Sequence, residues 1–233
     1  TVPHDIDRLT WPGIARGLAA GWPFALSGAI AGLLMGLVYR GLGLGWDMAL
    51  AFSTLVYAGT AQAVTAGMWR EPLPVAAMTF AALAVSLRYL AMGAHLRQVF
   101  PRVPHRVMLP ILFLLGDAAW AMTATEAAKG RRDIGTLLGL NLAMAAGWIG
   151  GTLAGVLAAV VPPGPVAAAA GFLPLGYIAA SLPAQWQGRA TLPSWTVAAA
   201  TAVAAVMVMP AGWAMLVGGA AGTAVAALRP GRD

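Results

Sequence analysis

The stretch WPFALSGAIAGLLMGLVY, residues 22–39, has no charged side chain across eighteen positions. As an α-helix rising 1.5 Å per residue it would cover about 27 Å, close to the ~30 Å hydrocarbon thickness of a bilayer. Arg40 and the Gly41-Gly43-Gly45 turn close it. Similar apolar runs follow at residues 46–69, 73–95, 107–127, 134–161, 166–182 and 195–228. The expected fold is therefore all-α, a polytopic transmembrane helix bundle of about seven spans. Pro210-Ala211-Gly212 interrupts the last run, which reads either as two short spans joined by a tight turn or as one span plus a re-entrant piece, giving seven or eight.

Composition agrees with this reading. Apolar residues make up 60% of the 233 and charged residues only 9%, against roughly 25% charged in soluble domains. One transmembrane domain over residues 1–233 is expected. Residues 1–20 form an N-terminal interfacial segment with Arg8 and Arg16 at the headgroups, and residues 21–230 form the membrane-spanning bundle. The opening TVPHDIDRLTWPG is too polar and too broken by Pro and Gly for a secretory apolar core, so insertion rests on the later spans. The net charge of +6 lies in short segments between the runs, notably 97–106 and KGRRD (129–133). That pattern suits headgroups and topology signals and gives no nucleic-acid patch. Counted over seven alternating spans, Lys and Arg divide seven against six, which sets no orientation.

The chain has no cysteine, so thiolate metal sites, disulfides and Cys nucleophiles are excluded. His4, His95 and His105 read as tail or loop-edge residues, and no P-loop, HExxH or G-x-S-x-G pattern occurs. The reading is of a protein that is not an enzyme and carries no metal or cofactor. Gly28-Gly32-Gly36 and Gly147-Gly151-Gly155 are ladders of glycines four apart, which bring helix backbones close where lipid offers no hydrophobic drive. Ala19-Ala20-Gly21-Trp22 also matches Ala145-Ala146-Gly147-Trp148.

Polar residues inside apolar runs are costly unless used. Asp117 lies mid-run in LLGDAAW (114–120), a proton-titrating candidate or a structural ion pair. Arg88 lies inside the third run, as a snorkelling anchor, a partner of a substrate carboxylate or a partner of Asp117. STLVYAGTAQAVT (53–65) is the densest polar run. A helix interrupted at Gly59, near its centre, would free backbone groups for a zwitterion, with Tyr57, Thr60 and Gln62 around them. Asn141 and the Gly171-Pro174-Gly176 interruption are weaker signals.

Three motifs carry a family resemblance. Residues 57–62, YAGTAQ, resemble the Y-A-G-[ST]-A-Q signature of AzlC-type large subunits of branched-chain amino-acid exporters. Ser86-Leu87-Arg88-Tyr89-Leu90-Ala91-Met92-Gly93 is similar to that family's N-x-R-H-x-x-Y-G run, and Gly116-Asp117-Ala118 to its T-D-E motif. Ser86, Tyr89, Met92 and Ala118 depart from the pattern, and the acid common in the sixth span is replaced near Ala170. The resemblance implies a multi-pass protein of the bacterial cytoplasmic membrane. It would export branched-chain or other hydrophobic amino acids, coupled to an ion, here a proton, together with a small AzlD-type membrane subunit of about a hundred residues. Tyr57, Gly59, Thr60, Gln62, Ser86 and Arg88 would bind substrate, and Asp117 would couple the proton. The competing readings are a membrane scaffold without transport and a passive small-solute channel.

Overall fold

The computed structural model describes residues 9–158, 188–209 and 211–228. Outside them lie the end of the fifth run, the Pro162-Pro163-Gly164-Pro165 stop, the sixth run with Ala170, Gly171, Pro174 and Gly176, and Pro210. The described residues form helices without strands: α1 Trp11–Gly41, α2 Trp46–Leu55, α3 Gly59–Gly67, α4 Val75–Ser86, α5 Arg88–Val99, α6 His105–Phe113, α7 Asp117–Ala128, α8 Ile134–Leu157, α9 Leu192–Val206 and α10 Ala211–Ala227. Leu87 keeps helical backbone angles, so α4 and α5 read as one helix, Val75–Val99. Among the described residues that helix, α1 and α8 are long and apolar enough to cross a membrane.

The first helix begins within the stretch read as interfacial. It runs without a break from Trp11 to Gly41, capped by the Thr10 hydroxyl on the Gly13 N–H at 3.2 Å. Gly13 and Gly17 in its first turns are already packed against the start of α8.

The glycine ladders pack against each other. A Cβ on Gly17 would sit 2.8 Å from the Gly139 Cα, and one on Gly36 2.9 Å from the Gly155 Cα. Residue numbers rise together along the contact, so α1 and α8 are parallel. The end where both begin is called the near end, and the other the far end. Asp133 locks the near end: it caps α8 on the Gly135 N–H, accepts from the Thr136 hydroxyl at 2.8 Å and pairs with Arg16 at 2.6 Å.

Between α1 and α8 the second and fourth apolar runs do not continue straight. Each is a helix, a three-residue break and a second helix that returns toward the end the first came from. A straight run would put residues 52 and 69 about 25 Å apart, yet the rings of Phe52 and Trp69 are centred 5.8 Å from each other. Ala49 of α2 and Ala66 of α3 join Tyr39 and Val156 in one far-end cluster. The α2/α3 hairpin therefore enters at the far end, and its tip, residues 56–58, lies at mid-depth.

The α6/α7 hairpin is its counterpart from the near end. Met108 of α6 joins Ile134 and Leu137 at the start of α8, in a core that also takes Leu96, Val99 and Phe100. Its break, residues 114–116, reaches the middle of α8, where the Gly116 N–H donates to Asn141 Oδ1 at 3.3 Å. The chain then returns through α7 to the 129–133 loop and the start of α8. Both tips rest on α8 one helical turn apart. A Cβ at Gly59 would meet the Trp148 ring at 2.8 Å, and one at Gly116 the Met144 Cε at 2.5 Å.

Helices α9 and α10 divide the last run in two. Gly218 packs on Ala198 and Ala202, and Gly222 on Ser194 and Ala198, so the pair is antiparallel.

Candidate functional site

The two tips meet at the midpoint of Val75–Val99. A mid-depth cavity of about 310 Å³ opens there, lined by Leu55, Val56, Tyr57 and Ala58 of the first tip, by Ser86 and Tyr89, and by Leu112, Phe113 and Leu115 of the second. Its volume is at the lower end of the ~300–1,000 Å³ typical of small-molecule sites. The walls are mainly aliphatic. The polar groups Tyr57, Ser86 and Tyr89 supply a few oriented donors and acceptors.

Arg88 ties the three elements together beside this cavity. Its guanidinium donates to the Thr60 hydroxyl at 2.9 Å and to the Tyr89 hydroxyl at 3.3 Å, and pairs with the Asp117 carboxylate at 3.2 Å. The pairing of Arg88 with Asp117, one of the alternatives for this residue, is present. The chain folds this way because each residue opens or follows an interruption: Thr60 is the second residue of α3, Asp117 the first of α7, and Arg88 the first after Leu87. Arg88 and Asp117 are half-buried, 36% of each side chain remaining accessible.

Backbone dipoles add to the charge. The N-termini of α3 and α7 both open at mid-depth without a side-chain cap. Free N–H groups at a helix start favour negative charge. Asp117, in the first turn of α7, sits where a carboxylate is favoured.

The structure brings together Tyr57, Thr60, Ser86, Arg88 and Asp117. Gly59 serves as the close-contact position against Trp148. Gln62 is placed differently: its amide is fully buried and engaged, accepting from the Tyr39 hydroxyl at 2.9 Å and donating to the carbonyls of Phe52 and Val56 at 3.2 and 2.6 Å. It holds the break and does not line the cavity. His95 is also not at a loop edge. It lies inside α5, its ring 5.7 Å from Trp120 of α7.

Tyr89 and the lining residues of the second tip were not among the site residues expected from sequence. The available signal was the parallel between Gly59-Thr60 and Gly116-Asp117, a glycine followed by a polar residue at the centre of an apolar run.

Long apolar helices around two broken ones, with an ion pair where the breaks meet, form a helical membrane protein with polar groups at mid-depth. The chain belongs to the AzlC protein family, whose model matches residues 23–161, the stretch that holds both hairpins and every residue of this site. That family is associated with branched-chain amino-acid transport and is not an enzyme family. No curated protein and no solved structure matches the chain.

Proposed function

We propose that the protein is a secondary transporter that exports branched-chain or similar hydrophobic amino acids across the bacterial cytoplasmic membrane. In this reading the aliphatic side chain enters the cavity among Leu55, Val56, Leu112, Phe113 and Leu115, at roughly 0.8 kcal/mol per buried CH₂. The carboxylate draws on Arg88, helped by the open N-termini of α3 and α7, while Tyr57, Thr60 and Ser86 offer hydrogen bonds to the zwitterion. The substrate carboxylate takes Arg88 while its ammonium pairs with the Asp117 carboxylate in place of a proton, so loading substrate releases a proton and the empty carrier returns protonated, which exchanges substrate for proton. A small AzlD-type subunit completes the transporter. The observation that carries the reading is Arg88 shared between Thr60 and Asp117 beside a mainly apolar cavity.

The test is flux of labelled leucine into liposomes carrying the protein with its small neighbour subunit. Accumulation driven by a pH gradient is expected, with counterflow in its absence. Asp117→Asn is expected to abolish gradient-driven accumulation while the protein still inserts. Unchanged, still pH-dependent flux in that variant would remove Asp117 from the mechanism. Equilibration without accumulation would favour a passive channel, and no flux with any partner a scaffold.

A further inference from the structure

Each hairpin tip is held by one buried carboxamide, Gln62 for the first and Asn141 for the second, both with 0% of their surface exposed. Their bonding is alike. Gln62 donates to the Phe52 and Val56 carbonyls at the end of α2, and Asn141 Nδ2 donates to the Ile111 carbonyl near the end of α6 at 3.1 Å. The Phe52 and Val56 carbonyls also take the Val56 and Ala58 N–H groups, at 3.0 and 2.6 Å, so Gln62 fills a second lone pair on each, while the Ile111 carbonyl stands where its helix stops and its regular partner is missing. Each carboxamide also ties its tip to a long helix. Gln62 accepts from Tyr39 of α1, and Asn141, itself on α8, accepts from the Gly116 N–H.

We infer that Gln62 and Asn141 are positioning residues, one latch for each wall of the cavity, and that releasing either opens the cavity toward one end only. Release strips the buried Tyr39 hydroxyl of its acceptor in the first case and the Ile111 carbonyl of its donor in the second; a buried polar group without a partner is costly, and water is its alternative partner. The water that a freed tip can reach lies at the end from which its hairpin enters. That is the far end for the first hairpin and the near end for the second. Two latches on opposite sides of one cavity are what access from alternating faces requires. The inference takes this cavity as the substrate site, and its test reads access without needing transport.

The chain has no native cysteine, so Ser86→Cys places a single thiol on the cavity wall. Its reaction with a membrane-impermeant thiol reagent is followed in sealed vesicles of both orientations, alone and combined with Gln62→Met or Asn141→Leu. These replacements keep similar bulk and remove the hydrogen bonds. A tenfold or greater acceleration is expected from one face in the Gln62 variant and from the opposite face in the Asn141 variant. Acceleration from both faces, which a merely structural role would give, overturns the inference. So does acceleration from the same face in both variants, or in neither. Should either protein fail to reach the membrane, Gln62→Glu and Asn141→Asp, which keep an acceptor and lose the donor, are read by the same outcomes. Absent leucine flux in the unaltered protein would remove the transport reading, while the labelling result stands or falls separately.

Discussion

Arg88 reaches Thr60, Tyr89 and Asp117 from one position, so its loss does more than delete a charge. Removing one member of a desolvated ion pair leaves the other uncompensated, typically at 3–5 kcal/mol. With a third of each side chain accessible here, about 2 kcal/mol is expected for Arg88→Leu or Asp117→Leu alone. The double variant is expected to melt above either single one in detergent. Equal or additive losses would mean that the two charges do not compensate each other. Asp133 gives a second test, outside the membrane. Burial pushes its carboxyl up, but hydrogen bonds from Thr136, Arg16 and the Thr136 and Gly135 N–H groups outweigh this and hold it below the ordinary carboxylate value. A lowered folded value means stability that is present above the unfolded value near 4 and lost as pH falls through the folded one. The melting temperature should therefore drop in that acid window, and Asp133→Asn should flatten this drop while leaving the α8 cap. A drop unaltered in Asp133→Asn would assign it to other carboxylates. Arg88 and Asp117 were legible in the sequence because a charge in an apolar run has few explanations. Gln62 was not, since its partners are carbonyls that exist only once the chain breaks and folds back.

At the scale of elements, the glycine ladders were legible as packing surfaces, and two adjacent glycines on α8 show how sharply the surface is defined. A Cβ at Gly151 would fall 2.1 Å from the Ala29 carbonyl oxygen, backbone that moves only if α1 and α8 separate, whereas a Cβ at Gly150 meets nothing within 4 Å. Gly150→Ala should be neutral or stabilise by up to ~1 kcal/mol through helix propensity. Gly151→Ala should lower the melting temperature clearly despite the same propensity gain. Similar melting of the two variants would refute the close approach of α1 and α8. The hairpins were only half legible. The break near Gly59 followed from the polar cluster around it, but a run of some 24 apolar residues serves equally for one crossing or for two half-helices lying side by side. An indole at each end of that run, Trp46 and Trp69, suits a straight crossing equally well, yet the Phe52–Trp69 contact and the shared cluster of Ala49 and Ala66 bring the end of α3 back beside α2. What selects the hairpin is tertiary: that ring pair, the Tyr39–Gln62 bond and the fit of Gly59 on Trp148.

For the whole molecule, the return of both hairpins changes the charge map. On straight alternating spans the basic residues balanced. With the hairpins folded back, the near end of residues 9–158 collects Arg16, Arg97, Arg102, Arg106, Lys129, Arg131 and Arg132, while the far end has Arg40 and Arg70. Short loops rich in Lys and Arg stay in the cytoplasm. The near end, with the α6/α7 hairpin, is thus expected to face the cytoplasm, and the α2/α3 hairpin to open outward. Single cysteines at Gly41, Leu73 and Ala128 test both parts of this argument. A hairpin returns residue 73 to the side of residue 41, whereas a straight crossing puts them on opposite sides. An impermeant thiol reagent applied to intact cells should therefore label Gly41→Cys and Leu73→Cys alike and spare Ala128→Cys until the membrane is opened. Opposite labelling of the first two would restore a straight second span. Matching but inverted labelling, with Ala128→Cys reactive from outside, would keep the hairpins and reverse the orientation, making the α6/α7 tip the outer wall of the site.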